Sequence, residues 1–239
     1  MGKLKILFAF PCHNRLEYNK ITLPAMMYEC KTSDVTDILI IDDDSSDGTS
    51  EYIGSLLPSL PSYTECDVVY ARRQIGSSVG VFRVIAEFIQ PFDYVINICN
   101  DTLLPSGGLQ ELISIIDEGK YSGISPRHVG VIDYPRIVLH DKIVEAQHIT
   151  CGIYDANLFK GEDLPVNSIV AGERRWVGQE HFLRSKGGRY GIAQGVEMLE
   201  LDRSALFSRS LEYERLGYAR LFEHTRNVKS LYNYAKDIA

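Results

Sequence analysis

The 239-residue sequence carries 25 lysines and arginines against 32 aspartates and glutamates, a net charge of −7, and is 45% hydrophobic. This balance excludes a broad nucleic-acid or anionic-membrane surface, which needs a concentrated basic footprint, so any phosphate site must be local. No apolar run approaches the ~20 residues of a membrane span. Ile6–Phe10, although preceded by Lys3 and Lys5, is too short for the apolar part of a signal peptide. The five cysteines (Cys12, Cys30, Cys66, Cys99 and Cys151) are odd in number and scattered. They read as reduced core thiols rather than a disulfide frame, and the expected location is cytoplasmic, at most peripheral to a membrane. His148 and Cys151 make one H-x-x-C pair with no second pair nearby, too little for zinc.

In chain order, Leu4–Phe10 is a buried-strand run. Thr22 followed by Pro24 predicts a helix start, with the helix running to Cys30. Asp37–Ile41 is a second apolar strand, and Thr49–Leu57 a short helix. Asp67–Ala71 is a third strand. Ser77–Ile89 is helical, with Val81, Val84, Ile85 and Phe88 at helical spacing. Tyr94–Ile98 is a fourth strand, and Ser106 is expected to cap a helix through Asp117. The second half is less regular. Val129–Val138 and Val144–Thr150 read as a hairpin, Gly178–Lys186 as a helix, and Tyr190–Ala193 and Val196–Leu201 as short strands. Residues 203–239 read as a helical extension rich in Tyr and Arg.

Alternating strands and helices imply an α/β domain with a mostly parallel sheet covered on both faces. Such sheets bind ligands outside the carboxyl ends of their strands. The polar clusters Pro11–Arg15, Asp42–Asp47, Arg72–Gly76 and Asn100–Thr102 fall at those ends. A carboxylate there can accept hydrogen bonds from a nucleobase imide or a ribose hydroxyl. Asp47 fits a turn or helix cap. A calcium loop counted from Asp43 fails, because its twelfth position is Gly54 rather than Glu.

Ile41-Asp42-Asp43-Asp44-Ser45-Ser46-Asp47-Gly48-Thr49 resembles the V-D-D-G-S-x-D-G-T signature of family 2 glycosyltransferases, which have the GT-A fold. Pro11-Cys12-His13-Asn14-Arg15 is similar to that family's P-x-x-N-R motif. Gln74-Ile75-Gly76-Ser77-Ser78-Val79-Gly80 resembles its N-x-G-x-x-G-G segment, with Gln for Asn and one glycine lost. Asn100-Asp101-Thr102-Leu103-Leu104-Pro105 resembles the N-D-T-x-x-x-P metal motif of rhamnosyltransferase-like members. The matches run in order through about residue 110.

The resemblance implies a GT-A, Rossmann-like domain over residues 1–202, with a nucleotide-sugar half at 1–110 and an acceptor half at 111–202, followed by the extension 203–239. It implies transfer from a nucleoside-diphosphate sugar to a carbohydrate or glycolipid acceptor, in polysaccharide or glycoconjugate synthesis. The implied donor residues are Pro11, His13, Arg15, Asp42, Asp43, Arg73, Gly76 and Asn100. Asp101 is the implied ligand of a divalent Mn²⁺ or Mg²⁺, although Cys99 stands where a D-x-D motif has its first carboxylate. The metal would then be held largely by the diphosphate. His13 could stack on the base or serve as a hydrogen-bonded loop histidine. Arg15 and Arg73 could reach the diphosphate or be solvated.

Gly178-Gln179-Glu180 resembles the G-E-D of inverting GT-A enzymes, which makes Glu180 the implied general base. A helix N-terminus there favours its ionised form. His181 is a competing base, and Trp176, the single tryptophan, could stack on an acceptor sugar. His224 resembles a late metal-binding histidine of some GT-A enzymes. Two rival readings remain at this point: a nucleotide-sugar-binding module without activity, and a nucleotidyltransferase. The latter wants a glycine-rich loop after the first strand, and Phe10–Arg15 contains no glycine. A homodimer is an open alternative for the extension.

Overall fold

The computed structural model describes residues 3–59, 65–72, 81–129, 142–147, 149–160 and 182–200. β1 (Ile6–Cys12), β2 (Asp37–Asp42), β3 (Glu65–Tyr70) and β4 (Tyr94–Asn97) run parallel in the spatial order β3-β2-β1-β4. β1 is buried along its whole length. Its side chains alternate between two cores: Ile6, Phe8, Phe10 and Cys12 enter one, Leu7 and Ala9 the other. A strand buried on both faces needs an unbroken apolar run, which is why these segments stand out in the sequence.

Helices α1 (Leu16–Lys31), α2 (Thr49–Leu56), α3 (Val81–Phe88) and α4 (Gly108–Asp117) fill the connections. α1 and α4 supply Leu23, Met26, Leu109 and Leu112 to the first core, while Val81, Phe82 and Ile85 of α3 enter the second. Two helix starts differ from the sequence expectation. α1 begins at Leu16 rather than Thr22, with Pro24 inside it. The Leu16 N–H donates to the Asp47 carboxylate at 2.8 Å, so the cap comes from a loop some thirty residues away in sequence. Ser106 does not cap α4. Gly107 occupies that position at φ 78°, and the N–H groups of Gly107 and Leu109 donate instead to Glu29, on α1, at 3.2 and 3.3 Å. Burial pushes the Glu29 carboxyl up, and the backbone donors at α4 oppose that shift.

Beyond β4 the sheet continues through strands of mixed direction. β5 (Thr102–Leu103), β6 (Gly123–Val129), β7 (Ile143–Ala146), β8 (Gly152–Asp155) and β9 (Tyr190–Glu200) follow in the chain. The order continues β4-β8-β6-β9-β5, and β7 also pairs with β9. β8 is antiparallel to β4 and β6, whereas β6 and β9 are parallel. The parallel ladders hold more paired residues than the antiparallel ones, so the sheet is mostly parallel.

The expected hairpin of Val129–Val138 and Val144–Thr150 lies largely outside the described residues, of which its first strand includes Val129 alone. β6 starts at Gly123 and pairs with β8 and β9, and β7 pairs with β9. The two short strands expected after residue 190 are one strand. Its register against β6 jumps between Pro126↔Ala193 and Arg127↔Glu197. Proline has no N–H for the ladder, so the pairing breaks there and Gln194 donates to Lys142 at 3.1 Å instead. The helix predicted over 178–186 is described only from residue 182, with 182–185 helical. Residues 201–239, including His224, and His148 lie outside the described residues. Among the described residues, no helix is long and apolar enough to cross a membrane.

Candidate functional site

β1 lies between β2 and β4, and all three point the same way. The loops leaving their carboxyl ends, 13–15, 43–48 and 98–101, therefore share one edge of the sheet. Pro11, His13, Arg15, Asp42, Asp43, Asn100 and Asp101 are brought together there. Arg73, Gly76, Trp176, Glu180 and His181 lie outside the described residues, as does Gln179.

The loop after β1 is fixed from both sides. The Ser46 N–H donates to Asn14 Oδ1 at 2.8 Å, which turns the amide nitrogen of Asn14 toward His13 Nε2 at 3.3 Å. That ring nitrogen must accept. The proton then sits on Nδ1, which donates to the Asp43 carbonyl at 2.6 Å. His13 thus bridges two loops, and both its ring nitrogens are committed. The Asn14 N–H donates to Ser45 Oγ at 2.8 Å.

The aspartates after β2 divide their tasks. Asp42 is buried and accepts from Ser45 N at 3.2 Å and from the Ser50 hydroxyl, so it clamps its own loop. Asp43 is equally buried, and its N–H donates to Cys12 O at 2.8 Å, which extends the β1–β2 ladder to the edge. Asp47 accepts from Leu16 N, Thr49 N and the Thr49 hydroxyl. Partial burial opposes its charge, but the Thr49 hydroxyl and the two N–H donors hold its carboxyl below the usual range. The expected cap role of Asp47 is present, and it serves the start of α1 as well as that of α2.

Asn19, to which the sequence assigned no role, joins the three loops, and Thr22, expected above as a helix start, supports one of them. Asn19, fully buried on α1, donates to Asn14 O at 2.8 Å and to Thr49 Oγ1 at 3.0 Å. Its Oδ1 accepts from Asn100 Nδ2 at 3.0 Å. The Thr22 hydroxyl lies 2.9 Å from Asn100 O. The available signal was two polar residues on the apolar stripe of a helix, where an unpaired amide costs about 1–3 kcal/mol. Asn100 consequently turns inward, and its amide belongs to this network. Among the described residues, the non-glycine residues at positive φ are Asn14, Arg15 and Asp44, all on this edge. Such conformations cost about 1–3 kcal/mol each and persist where surrounding bonds enforce them.

Arg15 donates to Asp101 Oδ2 at 2.6 Å, and its guanidinium lies 6.0 Å from the Tyr18 ring centroid. The two side chains are 40% and 19% exposed, so this pair faces the solvent side of the edge. Asp101 is the residue expected to hold a metal. Among the described residues, no group of three His, Cys, Asp or Glu could hold one. The described residues therefore fit a divalent ion as a shared guest, with Asp101 as their carboxylate and further ligands from a diphosphate and water. Asn97, the last residue of β4 on the strand that leads to Asp101, keeps a buried Oδ1 without a hydrogen-bond partner. Cys99 turns to Cys151, with the sulfurs 2.9 Å apart. That contact, against the effect of burial, holds the Cys151 thiol down.

No family model matches the sequence, and no curated protein matches it either. Solved structures do. Residues 1–349 of Staphylococcus aureus TarS, in complex with UDP-GlcNAc, superpose with a TM-score of 0.61 at 15% identity, over 91% of this chain and 66% of that one. The mannosyltransferase PcManGT of Pyrobaculum calidifontis, in complex with GDP-Man and Mn²⁺, gives 0.61 at 13% identity over 93% and 64%. The chain has a GT-A fold. A Bacillus anthracis protein assigned as a glucose-1-phosphate thymidylyltransferase is also similar, at TM-score 0.53 and 12% identity over 82% and 89%. The GT-A fold is thus matched by proteins of two activities, and identities this low speak to fold alone. In another structure of TarS residues 1–349, the chain spans 65% of that fragment's length.

Proposed function

We propose that this GT-A domain transfers a sugar from a nucleoside-diphosphate sugar to an acceptor hydroxyl, with inversion at the anomeric carbon. One observation carries the reading: Asp43, Arg15 and Asp101 meet on the edge where parallel sheets bind ligands, joined through hydrogen-bonded loops. The complexes of TarS with UDP-GlcNAc and of PcManGT with GDP-Man support this class of donor. In this reading Asp43 contacts the nucleoside, Asp42 and His13 hold its loop, and Arg15 turns from Asp101 to the diphosphate. Arg73 and Gly76 complete the donor site. Asp101 would be the protein ligand of a divalent ion of the kind PcManGT binds, and such an ion would supply Lewis-acid stabilisation of the leaving diphosphate.

Glu180 takes the proton of the acceptor hydroxyl, which attacks the anomeric carbon from the face opposite the diphosphate. Trp176 and His181 form the acceptor side. The catalytic unit is residues 1–202, with 203–239 as an extension that contacts the acceptor or a second copy. The acceptor is a carbohydrate or glycolipid in polysaccharide or glycoconjugate synthesis, reached in the cytoplasm or at a membrane surface. Membership of family 2, with a rhamnosyltransferase-like metal motif, is part of the same proposal.

The thymidylyltransferase likeness makes nucleotidyl transfer the second reading. The absence of glycine from Phe10–Arg15 speaks against it. The deciding experiment is a thermal-shift panel of nucleoside diphosphates and their sugars, with and without Mn²⁺ or Mg²⁺. A ligand at 100 times its Kd stabilises by about 2.7 kcal/mol, so a true donor shifts the midpoint measurably. A midpoint unmoved by every nucleotide overturns the donor site. Pyrophosphate release from a nucleoside triphosphate and a sugar phosphate would favour the second reading.

A further inference from the structure

We propose that Cys99 and Cys151 form a reversible disulfide that ties the turn carrying Asp101 to the adjacent strand. The two sulfurs are already 2.9 Å apart, and a disulfide at ~2.05 Å requires them to close by less than about 1 Å. The backbones are in place for this closure. Cys99 leaves the end of β4, Cys151 leads into β8, and the two strands pair antiparallel with Asn97 opposite Gly152. Gly152 holds that approach. A Cβ there would lie 2.1 Å from Ile124 O, at φ 148°, so only glycine lets β8 start so close to β6. Cys99 is half-buried, whereas Cys151 is buried.

The oxidant is a low-molecular-weight disulfide such as oxidised glutathione. The Cys99 thiolate attacks one sulfur of the reagent and expels one glutathione thiolate, leaving a mixed disulfide on Cys99. The Cys151 thiolate then attacks Cys99 Sγ and expels the second. The two protein thiol protons end on the two glutathione thiolates. The reagent is reduced by two electrons, and the cysteine pair is oxidised by two. The bond bears on the site because Cys99 O accepts from Thr102 N at 3.3 Å and from the Thr102 hydroxyl at 2.7 Å. The turn containing Asp101 hangs from that carbonyl. This chemistry holds whether or not the nucleotide-sugar reading does.

The test equilibrates the purified full chain in graded ratios of reduced to oxidised glutathione. The samples are quenched in acid, alkylated with N-ethylmaleimide under denaturing conditions and digested for mass spectrometry without reduction. The expected result is a linked Cys99–Cys151 peptide that grows with oxidised glutathione and vanishes on treatment with dithiothreitol. In Cys151→Ser, glutathione should remain trapped on Cys99. Amide exchange over residues 98–104 should slow in the oxidised protein. Complete alkylation of both cysteines at every ratio overturns the disulfide. A linked peptide with unchanged exchange over 98–104 overturns the tether.

Discussion

Strands β1 to β4 run parallel and release three loops that hydrogen-bond to one another, whereas β5 to β9 change direction and pair with partners far along the chain. In the first region, buried polar side chains hold the edge together: Asn19 alone reaches the loops after β1, β2 and β4. In the second, order comes from apolar packing and from one register jump beside Pro126. Glu197, buried in β9, is offset by Arg127 at 3.3 Å across that jump. The difference teaches that edge residues in the parallel half are placed by other edge residues. A change at one loop is felt at its neighbours. In the mixed half a strand is placed by its ladder, and a change stays local.

If the halves also divide the work, with the donor on one and the base on the other, substitutions will separate them. Glu180→Gln should lower transfer by about 10²–10⁴-fold, the usual contribution of a general base. Nucleoside-diphosphate affinity, read by calorimetry, should stay at the parent value. Asp43→Ala should do the reverse and weaken that affinity by roughly 10- to 100-fold, the worth of a charge-assisted hydrogen bond. Loss of affinity in Glu180→Gln, or none in Asp43→Ala, would erase the division.

Next in size is the hub. Asn19→Leu leaves Asn14 O, Thr49 Oγ1 and Asn100 Nδ2 without this partner in a buried position. It should cost about 3 kcal/mol in urea unfolding and weaken nucleotide affinity although Asn19 touches no nucleotide. A variant with full stability and affinity would show that the loops stand without it.

The smallest effects are those of pH on two capping carboxylates. The Asp47 carboxyl is lowered in the fold, so its contribution is present above its unfolded pKa and is lost as acid passes through its folded value. The Glu29 carboxyl is raised, so its contribution is present below its unfolded pKa and is lost as pH rises through its folded value. Urea midpoints between about pH 3 and pH 7 should therefore fall less steeply in acid for Asp47→Asn than for the parent. For Glu29→Gln they should lose the decline toward neutral pH. Parallel curves for all three proteins would assign the pH dependence to other groups.

The parallel half was legible because its strands are continuous apolar runs ending in polar clusters. β1, β2 and β4 stand within a few residues of their predicted places, and the clusters Asp42–Asp47 and Asn100–Thr102 were legible at their strand ends, while the roles given to Asp43 and Asp101 came from the resemblance. The start of α1 was not legible, because its cap, Asp47, belongs to a different loop. The second half was read poorly for a similar reason. β8 inserts between β4 and β6, and β7 pairs with β9, pairings that leave no mark on local periodicity.

The sequence by itself determined the strand–helix alternation and the chemical character of the edge, since both follow from short-range patterns of apolar, acidic and amide residues. Only the tertiary structure decided that Asn19 joins three loops, that Arg15 faces Asp101, that Glu29 caps α4 and that Cys99 meets Cys151. Each of those contacts joins separate elements, and its geometry is set by how helices and strands pack across the sheet rather than by spacing along the chain.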